Sequence, residues 1–388
     1  MSKQSVREFE ISISEGALED LHYRLNHARF PEAETVPNDA KGKARWRQGV
    51  PLKEMIELVD YWKNEYDWRK FEKKINQFQN YKTVIDGVDI HFIHMASTRK
   101  NAVPLIISHG WPGSVVEFLD IIKALCEPEC KEDPAFHVVV PSLPGFGFSE
   151  RPSVEGIGTE KIASIWVQLM QRLGYNKFLA HGGDWGGVIT TQLAGLYPKN
   201  IIGIHSTFNQ APPGMSLDVL SEKDKIWAEN SFNFWGNKAA YAKVQSSQPQ
   251  TIGYALVDSP TGQLAWILDK FFEWTDTTNS PYERISKDHI LDNVTLYYLT
   301  RTAASSARIY YESHDAIDPE LTVDVPTALT LYPKDIEKYP RVWAEKRYRN
   351  IVAWNEAPEG GHFPSLEVSE YFVKDLRNGL SSILEVYK

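Results

Sequence analysis

Phe178-Leu179-Ala180-His181-Gly182-Gly183-Asp184-Trp185-Gly186-Gly187 is a short apolar run that gives way to small residues around one acidic side chain and continues in a helical pattern. A chain that turns sharply from a strand into a helix needs glycine wherever its own backbone closes in. The residue at the apex of such a turn is strained and sits near a helix N-terminus, where exposed N–H groups favour negative charge. The stretch has the form of a nucleophile elbow with Asp184 at its apex. A carboxylate is ionised at neutral pH and needs no base to become a nucleophile, but its target must be an alkylatable carbon bearing oxygen or halogen. The plainer reading is an Asp that caps the following helix.

Outward from the elbow, strand and helix patterns alternate from about residue 83 to 205: VDIHFIHM, PLIISHG, HVVVPSLPGFG, a helix through EKIASIWVQLMQRLG, then NKFLAHGG and IIGIHSTF. This predicts an α/β class with a mostly parallel central sheet and helices on both faces. Residues 1–82 carry helical periodicity, with a start at Ser14 and Glu15 and with Leu52, Met55, Ile56, Val59 and Trp62 at helical spacing, and predict a helical N-terminal extension packed on the core. The core then runs over 83–210. Residues 211–318 lose the strand signal and read as a Trp- and Tyr-rich helical lid. Residues 319–388 complete the core, with PTALTLYP, NIVAWNEAPEGGHF and a closing helix.

Composition narrows the function classes. With 388 residues, 42% of them hydrophobic, the chain can bury a large core. The net charge of −9, without a run of like charges, argues against nucleic acid as a partner. MSKQSVREFEISISEG has no continuous apolar segment of the secretory kind, and no later stretch approaches about 18 uninterrupted apolar residues, so the expectation is a soluble, cytoplasmic protein without a membrane anchor. Cys126 and Cys130 form neither a disulfide framework nor a zinc half-site and read as surface thiols near a helix end.

Three further segments bear on chemistry. Ser108-His109-Gly110-Trp111-Pro112-Gly113-Ser114 follows an apolar strand where an oxyanion loop would lie, and the backbone N–H groups of Trp111 and Trp185 would then face the carboxyl oxygen of Asp184. Glu359-Gly360-Gly361-His362-Phe363 follows a strand and offers His362 as the general base. The acid that orients it should leave the preceding strand, which points to Asp335, with Glu337 and Glu356 as competitors. The order nucleophile, acid, His is that of the α/β-hydrolase fold.

Taken together, H-G-W-P-G-S, G-G-D-W-G-G and G-G-H-F resemble the epoxide hydrolases of the microsomal and fungal branch, which also begin with a helical extension. The resemblance spans nearly the whole chain. It implies an α/β-hydrolase fold with a helical lid insertion, and an epoxide opened to a vicinal diol through a covalent Asp184 ester, with no metal and no cofactor. It also implies two lid tyrosines that donate to the epoxide oxygen. The matching positions are Tyr241 in Ala240-Tyr241-Ala242 and Tyr310 in Arg308-Ile309-Tyr310-Tyr311-Glu312, with Tyr311 pointing elsewhere on the helix. Thr251–Pro260 belongs to the lid and carries no chemistry. The aromatics Trp227, Phe232, Phe234, Trp235, Trp266, Phe271, Phe272 and Trp274 suggest an apolar or aryl epoxide as substrate, and the N-terminal arm could clasp a second copy in a homodimer. The rival readings are a haloalkane or haloacid dehalogenase with the same Asp nucleophile, and a silent binding protein on the same fold. A halide leaving group needs no proton, so a pair of phenols favours the epoxide.

Overall fold

Strands β4 (Val103–Ser108), β6 (Phe178–Gly182) and β7 (Ile201–Ser206) are buried almost end to end, as apolar runs covered on both faces must be. The computed structural model describes residues 5–37, 39–212, 214–313 and 318–387. Met1–Gln4 of the N-terminal reading lie outside them.

The remaining strands are β1 (Arg7–Glu8), β2 (Asn80–Ile85), β3 (Val88–Met95), β5 (Phe136–Pro141), β8 (Thr327–Leu331) and β9 (Ile351–Glu356). The sheet order is β1-β2-β3-β5-β4-β6-β7-β8-β9. β1, β2, β3 and β5 pair antiparallel, and every pairing from β5 to β9 is parallel. β1 and the first half of β2 fall where the sequence reads as helical extension, because their alternation is short and sits beside strong helical patterns.

Side chains of one strand alternate between two cores. Ile106 and Ala180 join Ile162, Trp166 and Ile189 on one face, whereas Leu105, Ile107 and Leu179 join Ile122, Leu376 and Leu380 on the other. Cys126 ends the helix Leu119–Cys126 and is buried in that second core, with Sγ 3.3 Å from the Met95 carbonyl. The expectation of two surface thiols therefore holds for Cys130 and fails for Cys126, which the amphipathic face of its helix turns inward.

In the extension, Ser14 caps the helix Glu15–Asn26 by accepting from the Ala17 amide. On the helix Leu52–Asn64, Met55, Leu58, Val59 and Trp62 are buried and Ile56 faces out. The extension touches the sheet region through Trp68, Phe71 and Ile75. It also reaches the helical insertion: Trp46 stacks on Phe272, and the Tyr61 and Tyr66 hydroxyls donate to Asp288 and Asp292 at 2.8 and 2.9 Å. No helix among the described residues is long and apolar enough to cross a membrane.

Candidate active site

The carboxyl ends of β4, β6, β8 and β9 converge on one point, the usual location of ligand sites in an open α/β sheet. Asp184 follows β6 at the start of the helix Asp184–Leu196, with φ of 49°. The left-handed conformation is costly for a non-glycine residue, so its neighbours must enforce it. A Cβ on Gly182 would come within 2.1 Å of the Gly186 carbonyl oxygen, and one on Gly186 within 2.0 Å of the Ser108 carbonyl oxygen. The glycines of the motif are thus set by close backbone approach.

After β4, His109 props the next loop. Its Nε2 accepts from the Leu143 amide at 3.2 Å, which leaves the proton on Nδ1 to donate to the Gly110 carbonyl at 3.0 Å. Burial pushes this imidazole down to about 4 and keeps it neutral. The Trp111 N–H donates to Asp184 Oδ1 at 2.8 Å. The Trp185 N–H belongs to the first turn of its helix, where no intrahelical acceptor exists. From the lid side, Asn293 and Tyr297 on the helix Lys287–Thr300 donate to the Pro112 and Gly113 carbonyls and hold the loop in place.

His362 lies between two carboxylates. Its Nδ1 is 2.7 Å from Asp335 Oδ1 and its Nε2 is 3.3 Å from Asp184 Oδ2. Burial pulls the imidazole down, but the charges of Asp335 and Asp184 outweigh it and lift it to about 10. Its backbone N–H donates to the Trp274 carbonyl at 2.8 Å, and the Trp274 ring packs edge-on against it, so the lid pins the His loop. The preceding Gly361 lies so close to the same segment that a Cβ there would come within 2.4 Å of the Trp274 carbonyl oxygen.

The competing acids lie elsewhere. Glu356 is at the surface beside Lys223. Glu337 receives the Trp235 indole N–H and the Tyr339 hydroxyl, and burial pushes it up to about 8. Tyr241 and Tyr310 are both buried above Asp184, whereas Tyr311 is 54% exposed. The rings of Tyr241 and Tyr310 meet edge-to-face at 5.8 Å; Tyr241 stacks on Trp111 and Tyr310 packs edge-on against Trp185 at 4.9 Å. Burial, reinforced by the Asp184 charge, pushes both phenols well above their ordinary value and keeps them protonated. The structure therefore brings together Asp184, His362, Asp335, Tyr241, Tyr310 and the backbone of Trp111 and Trp185.

Two cavities meet at Asp184. In front lies one of about 1090 Å³, lined by Trp185, Phe208, Trp235 and Tyr310 among others. Of the aromatics singled out in the sequence, Phe232 and Trp235 line it, while Phe271, Phe272 and Trp274 are core. Behind lies a space of about 20 Å³, room for roughly one water, bounded by Asp184, His362, His181 and Glu117. Burial pushes Glu117 up to about 8, the Asp184 charge adds to this, and His362 opposes it. Sequence reasoning misses Glu117. Its only signal is a charged residue in an otherwise apolar stretch, Val115-Val116-Glu117-Phe118-Leu119.

Two family models match the chain. Residues 6–118 match the epoxide hydrolase N terminus and residues 103–263 the alpha/beta hydrolase fold. Epoxide hydrolase 1 of Sus scrofa is 33% identical, over 96% of this chain and 88% of its own. The chain belongs to the epoxide hydrolase family. Among solved structures, juvenile hormone epoxide hydrolase from the silkworm Bombyx mori superposes with a TM-score of 0.91 at 30% identity, covering 99% of this chain and 96% of that one. The Aspergillus niger epoxide hydrolase gives 0.88 at 32%, covering 98% and 97%. This family member has the mostly parallel sheet and the helical N-terminal region that its sequence predicts.

Proposed function

We propose that the protein hydrolyses an epoxide to a vicinal diol through an ester on Asp184. The observation that carries this reading is the pair of buried, protonated phenols, packed on Trp111 and Trp185, beside a carboxylate that His362 also reaches. Asp184 Oδ1 is held by the Trp111 amide, which leaves Oδ2 to attack the ring carbon. As the C–O bond breaks, Tyr241 or Tyr310 gives a proton to the leaving oxygen. A halide would make no use of those protons.

Ester formation removes one of the two negative charges that hold the proton on His362, so its proton affinity falls; that proton passes to the phenolate left by the first step, and His362 becomes a base. Water in the rear cavity then adds to the Asp184 carbonyl carbon and gives a proton to His362, which Asp335 orients. The Trp111 and Trp185 amides receive the oxyanion, a contribution of typically ~3 kcal/mol per donor. Collapse releases the diol. Of the two protons that the water brought, one goes to the departing diol oxygen and the other, released as the Asp184 carboxyl ionises, returns His362 to its resting charge. The lining of the front cavity supports an apolar body on the substrate.

The test is a single turnover with styrene oxide in H₂¹⁸O, followed by mass spectrometry of the peptide that contains Asp184. Label in that carboxylate with diol released is the expected result. Diol without label there would mean direct attack by water and would overturn the ester.

A further inference from the structure

Of the acids weighed as partners for His362, only Glu337 lines the front cavity, which it shares with Asp184 and Trp185. It stands two residues beyond Asp335, so its backbone is within about 7 Å of the residue whose carboxylate holds His362. The side chain is nine-tenths buried. Its two oxygens differ. Oε2 accepts from the Trp235 indole N–H and from the Tyr339 hydroxyl, the latter at 3.3 Å. Among the described residues nothing bonds to Oε1, yet Oε1 is not one of the unpartnered atoms that the fold seals in, so the surface it keeps opens on the cavity.

A buried carboxylate needs a cation or it takes up a proton. Burial pushes Glu337 up to about 8, and the nearby charges of Asp335 and Asp184, both negative, add to the effect, so the group is a neutral acid at physiological pH. Two donors already point at Oε2, which makes it the carbonyl oxygen and puts the proton on Oε1. An O–H then faces a cavity whose neighbouring walls, Trp185, Phe208 and Trp235, are aromatic. We propose that Glu337 determines specificity: its Oε1–H donates to an ether or carbonyl oxygen on the arm of the substrate, so that the preferred epoxides carry such an oxygen a few bonds from the ring. The inference rests on the epoxide reading above and adds to it what the arm must contain. The ring oxygen stays with Tyr241 and Tyr310, and the bond to Glu337 fixes the orientation in which the ring meets Asp184.

The experiment compares kcat/KM for an unbranched 1,2-epoxyalkane of about eight chain atoms with that for analogues in which an ether oxygen replaces one methylene, moved along the chain a position at a time. At the position that meets Glu337 the ether should be favoured by roughly 2- to 10-fold, the range for a neutral hydrogen bond. Elsewhere the oxygen is desolvated without a donor, and the alkane should be favoured. Glu337→Gln keeps an oxygen for Trp235 and Tyr339 and turns N–H donors to the cavity, so the preference should persist. Glu337→Leu removes the donor, and the ether should then lose at every position; Glu337→Met serves if the leucine variant does not fold. Because each ratio is taken within one variant, a general loss of activity cancels. An alkane that matches the ethers at every position in the wild-type enzyme, a preference that survives Glu337→Leu, or one that Glu337→Gln abolishes would overturn the donor role while styrene oxide turnover leaves the reaction intact. Failure to hydrolyse any epoxide, styrene oxide included, would overturn the reaction and the inference together.

Discussion

The two cavities that meet at Asp184 differ in what builds them. The rear one is small, and its walls are mostly backbone turns and strand ends: the Gly110–Trp111 loop, Gly183, Thr207 and the His362 loop. The front one is large, and helices and loops of the insertion supply much of its wall. Close backbone approach, such as Gly186 against Ser108, leaves the rear side little freedom to vary. The front side is made of side chains that can be exchanged one at a time. On the proposed mechanism ester hydrolysis falls to the rear, and substrate choice with protonation of the leaving oxygen to the front, so the two should respond differently to mutation.

The largest effect is expected at the rear. His362→Gln keeps Asp184 and both phenols, so alkylation should proceed while hydrolysis falls by roughly 10³- to 10⁴-fold, the upper part of the range for a positioned base. Intact-mass measurement after mixing with styrene oxide should show the protein heavier by one substrate. Asp335→Asn should trap the same adduct less completely, because the imidazole remains but loses its orienting charge. A variant that stays unmodified would show that His362 also serves the first step and would blur the division between the two sides.

That division also accounts for what can be read without a structure. Gly182, Gly183, Gly186 and Gly187 around Asp184, and the His-Gly-Trp-Pro run at 109–112, are spaced by backbone demands and stand out in any sequence. The acid is harder: Asp335 and Glu337 lie two residues apart, and only the chain direction after β8 sends Asp335 to His362 and Glu337 into the front cavity. Glu117 carries only a faint local signature, a charge in an apolar stretch, because it acquires its meaning from elements distant in sequence. The same limit hides β1, whose two residues pair with β2 more than seventy positions away.

An intermediate effect is expected where the front cavity touches the chemistry. Tyr310→Phe and Tyr241→Phe each remove one proton donor and leave the other in place, so each should slow ester formation by roughly 10- to 100-fold, below the cost of a sole oxyanion donor. Stopped-flow quenching of tryptophan fluorescence, with Trp111 and Trp185 against the two phenols, can follow that step. The double variant should lose far more than either single one, since no donor remains. If instead the double variant matches the singles, the two phenols act as one unit and donation to the leaving oxygen requires both.

The smallest effect is expected from Glu117, and it sharpens the assignment of the rear cavity to water. A water that sends one O–H to His362 can send the other to the Glu117 carbonyl oxygen, which aims its lone pair at the Asp184 carbonyl carbon. A glutamine side chain would preserve that acceptor, so Glu117→Gln should slow ester hydrolysis by only about 3-fold near neutral pH, well under the loss from removing a base. The pH profile separates the residues. Glu117 is pushed up to about 8, so it is neutral below that pH and becomes a carboxylate above it, where its charge opposes the oxyanion forming on Asp184. Hydrolysis by the wild-type enzyme should therefore fall as pH rises through about 8, and this alkaline limb should be missing in the Glu117→Gln variant. A limb that persists unchanged would assign it to another group and leave the rear water held by His362 and the backbone alone.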